Sequence, residues 1–127
     1  MPSLPLTLLP DHLAVCRLPA DAALPAWAAG LGFVSITRTD EELSIVVRQD
    51  RVPGDVVAVG PWRALKVQGP LDFALTGILA ALTAPLADAG ISLFAIATYD
   101  TDYILVRAET LEAAITALMA AGHRVAV

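Results

Sequence analysis

The side chains able to do chemistry are few and scattered. His12 and His123 lie near opposite ends of a 127-residue chain. Neither has Cys, Asp or Glu neighbours at metal-ligand spacing, so each reads as a surface or strand-end residue. Cys16 closes the apolar run Leu13-Ala14-Val15-Cys16, which suits a buried structural thiol rather than a nucleophile. A single cysteine allows no intrachain disulfide, in keeping with a cytoplasmic protein. Asp40, Glu41 and Glu42 form an acidic run of the kind that is usually a solvated turn. Asp100 and Asp102 stand two apart in Thr98-Tyr99-Asp100-Thr101-Asp102. One of them can offer a carboxylate to a cation, or both can bond the backbone of their own turn. There is no Gly-rich phosphate loop and no G-x-S-x-G elbow. Nothing assembles a nucleophile, a base and an orienting group. The expectation is a binder rather than an enzyme, with no cofactor and no metal.

Composition narrows the class further. Hydrophobic residues make up 57% and charged residues 17%, enough for a packed core and too apolar for disorder. The net charge of −5, with eight Lys and Arg spread over the chain, argues against nucleic acid, whose phosphates need a basic surface. The longest stretch without a charge runs from Phe73 to Ala87 and contains Pro85. It falls short of the ~20 apolar residues of a spanning helix, so no membrane span is expected. The N-terminus has no basic region and is broken by Pro5 and Pro10, so it does not read as a signal peptide. A chain this small and this apolar points to an interface, with a homodimer as the expected assembly.

Periodicity then supplies the elements that must position these residues. Short strands are expected at Leu6 to Leu9 and His12 to Leu18, parted by a Pro10-Asp11 turn. Pro19 to Ala29 reads as a short helix with Asp21 as a candidate N-cap. Phe33 to Thr37 and Leu43 to Arg48 form a hairpin around the acidic turn. Pro53-Gly54 marks another turn. Ala64 to Gly69 reads as a strand, with Leu65 and Val67 on one face. Asp72 to Ala87 reads as a helix whose stripe is Leu71, Leu75, Ile78, Leu79, Leu82 and Leu86. Pro85 should kink it and Gly90 should end it. Ile91 to Ala97 and Tyr103 to Arg107 form a second hairpin. Thr110 is the expected cap of a helix from Leu111 to Ala121, with Leu111, Ile115, Leu118 and Met119 as its stripe. Gly122 ends that helix and Arg124 to Val127 is a final strand. The second half thus reads β-α-β-β-α-β, the split plan of ferredoxin-like folds.

The first half echoes the second. Thr39 to Arg48 aligns with Thr98 to Arg107, with identities at Thr39/Thr98, Ile45/Ile104, Val47/Val106 and Arg48/Arg107. Ala29-Gly30 and Ala89-Gly90 precede the two hairpins, and each half carries a strand, a proline and then an apolar segment. The fold expected is α+β: two ferredoxin-like βαββαβ halves side by side, residues 1–60 and 61–127, the first with its second helix shortened to the region of Arg51 to Val56. Trp62, beside Pro61, is placed to pack the seam between them.

Residues Val67-Gln68-Gly69-Pro70-Leu71-Asp72-Phe73, Gly77-Ile78-Leu79, Pro85 to Ser92 and the Thr-Tyr-Asp-Thr-Asp-Tyr hairpin resemble bacterial tandem ACT-domain proteins. These are small relatives of aspartokinase regulatory domains and of CASTOR-type arginine sensors. The resemblance is strong over Trp62 to His123 and weaker over Leu13 to Arg48. It implies two ACT units that pair side by side and bind an amino acid at their seam. Carried onto this chain, the ligand residues are Thr76, Gly77 and Ile78 after the first strand, Thr98, Tyr99, Asp100, Thr101 and Asp102 in the hairpin, and Ser35 and Ile36 on the matching strand of the first half.

Residue chemistry is compatible with that placement. An amino acid needs acceptors for its ammonium group, which Asp100 or Asp102 supplies, and donors for its carboxylate, which backbone N–H groups near Gly77 supply. A glycine inside an apolar helix costs about 1 kcal/mol against alanine, so Gly77 calls for a reason, either close packing or ligand approach. The arginine sensors carry an acidic residue near the first helix, whereas Ala74, Leu75 and Thr76 precede Gly77 here. A smaller or less cationic amino acid is therefore expected. The functional expectation is an amino-acid-binding regulatory or sensor module. The alternative is a dimerisation or partner-contact module without a ligand.

Overall fold

The computed structural model describes residues 3–69 and 76–127. The expected start of the first long helix at Asp72, with Leu71 and Leu75 of its stripe, lies outside the described residues. In chain order the strands are β1 (Pro5–Leu8), β2 (Leu13–Leu18), β3 (Ser35–Arg38), β4 (Leu43–Arg48), β5 (Val57–Val67), β6 (Leu93–Ala97), β7 (Asp102–Arg107) and β8 (Arg124–Ala126). The helices are α1 (Ile78–Asp88) and α2 (Leu111–Ala120), and three single 3-10 turns cover Ala26–Ala28, Gln49–Arg51 and Ala108–Thr110. This is the expected α+β class.

The chain divides into two compact units, residues 11–62 and residues 1–10 with 63–127. The division falls inside β5, two residues beyond the expected 60/61 boundary. Residues 1–10 group with the C-terminal unit rather than with the first half.

In the unit of residues 1–10 and 63–127, β5, α1, β6, β7, α2 and β8 follow the ferredoxin-like order. The strands run β6-β7-β5-β1-β8. β1 is an insertion between the first and last strands of that plan. It pairs antiparallel with β5 through Leu6↔Val67 and parallel with β8 through Leu6↔Val125. Leu6, Leu65, Val67, Ile104 and Val106 point to one face of these strands. Ala81, Leu82 and Leu86 of α1 and Ala114 and Leu118 of α2 pack onto them. Each fully buried leucine among them contributes about 1.5–3 kcal/mol. The expected stripes hold at Leu82, Leu86 and Leu118. Leu79 and Met119, at their edges, are 40% and 55% exposed, and the small Ala81 and Ala114 take the inner positions instead.

Pro85 sits within α1 and has no N–H to give the carbonyl of Ala81. His123 fills that gap. It is buried, its Nε2–H donates to the Ala81 carbonyl at 2.8 Å, and its Nδ1 accepts the N–H of Leu4 at 3.1 Å. Because an amide can only donate, the proton must be on Nε2. His123 stands at a strand end as expected, but it is an interior residue joining α1, the residue before β1 and the turn before β8, not a surface one.

In the unit of residues 11–62, the strands run β3-β4-β2-β5. Ala14, Cys16, Leu43, Ile45 and Val47 share the core face with Ala28, and Trp27, Val52 and Val56 pack against them. Burial pushes the Cys16 thiol pKa up, which suits an inert core residue. The helix expected over Pro19 to Ala29 is reduced to the one 3-10 turn Ala26–Ala28, and Asp21 caps nothing. Pro19 and Pro25 interrupt the segment, and only Ala28 within the turn is buried, too little apolar contact to repay helix nucleation. The shortened second helix expected over Arg51 to Val56 is absent: the 3-10 turn Gln49–Arg51 ends where it should begin, and no helix follows before β5. Trp62 is buried, and its indole N–H donates to the Val59 carbonyl at 3.0 Å.

Candidate functional site

The hairpin between β6 and β7 owes its shape to two threonines. Thr98 closes the turn: its N–H and hydroxyl both reach the Thr101 carbonyl, at 2.9 and 3.0 Å, and its Oγ1 accepts the Thr101 N–H at 3.3 Å. Thr101 is buried, and its hydroxyl donates to the Val67 carbonyl at 2.6 Å. That bond ties the turn to the end of β5, where the connection toward α1 begins. Both hydroxyls are therefore committed to structure. Tyr99 and Asp100 are exposed and Asp102 is half-buried at the start of β7. Among the described residues no hydrogen bond or ion pair engages either carboxylate. The turn is closed by Thr98, not by the aspartates, which leaves an exposed carboxylate at Asp100 and a half-buried one at Asp102 without a partner among the described residues.

The start of α1 departs from the sequence reading. Gly77 is not inside the helix but at its N-cap, with φ +78° and ψ 2°, a left-handed conformation that favours glycine. That conformation is the reason the sequence expectation lacked. Its carbonyl accepts the Ala81 N–H at 2.9 Å. The N–H groups of Ile78, Leu79 and Ala80 precede that bond and have no acceptor within the helix. Among the described residues no side chain caps them, and a Cβ on Gly77 would meet no described atom within 4 Å. A helix terminus without a side-chain cap among the described residues presents the positive end of its dipole, which suits a carboxylate. Thr76 and Gly77 are exposed and Ile78 is half-buried.

The same unit thus holds Thr76–Ile78 and the Thr98–Asp102 turn. Ser35 and Ile36 lie on β3 of the other unit. There Ser35 is half-buried beside Val46, and Ile36, beside Ile45, is 42% exposed. The expected side-chain cap at Thr110 is absent: its hydroxyl donates back to the Arg107 carbonyl at 3.0 Å. Sequence reasoning also missed the bonding of His123. Its partners, a carbonyl on α1 and an amide at the chain start, are distant in sequence, although Pro85 within a helix does signal a carbonyl in need of a donor. Among the described residues no group of His, Cys, Asp and Glu side chains could hold a metal ion, and no helix is long and apolar enough to cross a membrane.

Comparison with known proteins matches this architecture. A family model described as the ACT domain covers residues 57–120. A second model, of an N-terminal domain, covers residues 11–55. Protein Atu0741 from Agrobacterium tumefaciens has a solved structure 46% identical to this chain. It superposes with a TM-score of 0.93 over 98% of this chain and 93% of that one. The bovine (Bos taurus) cytosolic arginine sensor for mTORC1, subunit 1, is 33% identical over 97 residues, 68% of this chain and 30% of the sensor. The chain spans about half, or less, of the length of the curated relatives it matches. The regulatory subunit of aspartate kinase from Thermus flavus shares the fold, with a TM-score of 0.62 at 17% identity over 91% of this chain and 95% of that one. The split βαββαβ plan, the Thr98 hairpin and the family match over residues 57–120 together show that the chain belongs to the ACT-domain family.

Proposed function

We propose that the chain is a regulatory module that binds a small, weakly cationic or neutral amino acid at its ACT unit. The observation that carries this reading is the pairing of two uncommitted features in one unit. Among the described residues Asp100 and Asp102 are free of partners and the N–H groups of Ile78 to Ala80 are uncapped. An α-amino acid presents the complementary pair, an ammonium for a carboxylate and a carboxylate for backbone donors. The arginine sensor among the relatives supports an amino acid as the ligand class. The run Ala74-Leu75-Thr76 has no acid to meet a guanidinium, which favours a smaller ligand than arginine.

In this reading the ligand sits where one ACT unit pairs with another, in the same chain or in a second copy. Ile36 and Ser35 would then contribute from β3. Binding stabilises the paired state by linkage and so shifts an assembly or conformational equilibrium. The unit's role is recognition, not catalysis. The test is a thermal-shift screen of the full chain against the twenty amino acids at millimolar concentration. A ligand at 100 times its Kd adds roughly 2.7 kcal/mol of stability, a readily measured rise in Tm. That rise should vanish in Asp102→Ala while the unliganded Tm is retained. No rise with any amino acid would point instead to a pairing scaffold without a ligand.

A further inference from the structure

We infer that the unit of residues 11–62 carries a small-ligand site of its own, a cleft for a neutral solute of the carboxamide class, at the place where this unit lacks a second helix. The two units diverge directly after equivalent arginines. Beyond Arg107 the 3-10 turn Ala108–Thr110 leads into α2. Beyond Arg48 the turn Gln49–Arg51 leads only into the short Val52–Val56 connection and then β5. A cleft of about 320 Å³ lies beside that connection, at the lower end of the ~300–1,000 Å³ typical of small-molecule sites. It is too small for a helix, whose diameter with side chains is about 10–12 Å.

Ala14 of β2 with Ala58 and Gly60 of β5 line the cleft opposite the connection, and their small size keeps it open. Gly60 has a specific reason to be glycine. A Cβ there would fall 2.6 Å from Oε1 of Gln49 and 2.9 Å from the Leu13 carbonyl. Its absence lets the Gln49 carboxamide lie over the strand at the cleft wall. Gln49 spends its backbone groups on His12 and Val52, whereas its side chain is exposed and no described residue bonds its carboxamide. None of the lining side chains is ionisable. An ionised solute would meet no counter-charge there, while a carboxamide offers the donor and acceptor that Gln49 complements. The cleft shares no residue with Thr76–Ile78 or Thr98–Asp102, so this proposal and the amino-acid reading stand or fall separately.

The test is an amide-shift titration of the ¹⁵N-labelled full chain with propionamide, with propionate and propylammonium as charged isosteres. The expected result is a saturable response to propionamide centred on Gln49, Gly54, Ala58 and Gly60, and weak or no response to the ions. Gln49→Ala should weaken propionamide binding about three- to tenfold, the loss of roughly one hydrogen bond. Ala58→Leu, at an exposed strand position, should fill the cleft and abolish the response. No saturable response at these residues, an equal response to propionate, or a response retained in both variants would each overturn the proposal.

Discussion

The hairpin β3–β4 in one unit and the hairpin β6–β7 in the other are closed by the same device. Thr39 bonds the Glu42 carbonyl through its N–H at 2.9 Å and accepts the Glu42 N–H on its hydroxyl at 3.2 Å. Thr98 makes the same pair of bonds to Thr101 at 2.9 and 3.3 Å. Gly30 and Gly90, both at positive φ, lead into the two hairpins. Arg48 and Arg107 end them, each reaching an acid two residues on, Asp50 at 2.7 Å and Glu109 at 3.7 Å, within a 3-10 turn. What differs is the position facing the turn's threonine. Glu42 is half-buried and its carboxylate makes no hydrogen bond or ion pair among the described residues, while Thr101 is buried and anchors its turn to β5. The helical segments differ more: α1 and α2 pack onto the strands of one unit, whereas the other has only the turn Ala26–Ala28 in the place of α1 and no helix in the place of α2. The hairpin is the shared frame, and the helices and the anchoring of the turn are where the units have parted.

The comparison can be broken most severely by removing what only one unit has. Deleting residues 1–10 takes β1 from between β5 and β8, along with the buried Leu4 and Leu6. The unit of residues 63–127 should lose its cooperative unfolding transition, measured by circular dichroism on heating. A smaller but still large effect is expected of His123→Ala. It strands the Ala81 carbonyl and the Leu4 amide, at about 1–3 kcal/mol for each buried group left unpaired. Adding Pro85→Ala should recover part of the loss in denaturant melts, because the new amide can take up the Ala81 carbonyl.

Thr101→Val should cost about 1–3 kcal/mol by leaving the Val67 carbonyl unpaired. Glu42→Val, at the equivalent position, should fall within about 0.5 kcal/mol of the parent. Equal losses would show that the two turns are anchored alike. The smallest effect tests the likeness itself. Thr39→Ala and Thr98→Ala should each cost roughly 0.5–1.5 kcal/mol, by similar amounts in urea unfolding.

Much of this frame was legible in the sequence because alternation and turn chemistry are local. β4 runs from Leu43 to Arg48 as its apolar pattern implies, and the Thr39/Thr98 match is a hydrogen-bonding equivalence, not only a likeness of letters. The ends of helices were less legible. An apolar run from Phe73 to Ala87 conceals that Gly77 is a left-handed cap, since hydrophobic periodicity continues across it. Pro19 to Ala29 has helix-forming alanines but too few contacts to hold a helix. The insertion of β1 and the bonding of His123 join residues separated by most of the chain, and no local pattern encodes them. For the site, the residue types at Asp100 and Asp102 were readable. That Thr98 closes the turn and leaves both carboxylates uncommitted was not.

That freedom of the carboxylates, in the same unit as an α1 start without a side-chain cap among the described residues, underlies the proposed function. It is tested most directly by mapping amide shifts of the ¹⁵N-labelled chain titrated with whichever amino acid most raises its Tm. The expected result is a saturable set of shifts centred on Ile78 to Ala80 and on Asp100 to Asp102, lost in Asp102→Ala. Shifts centred elsewhere, or no saturable shift with any of the twenty amino acids, would contradict it.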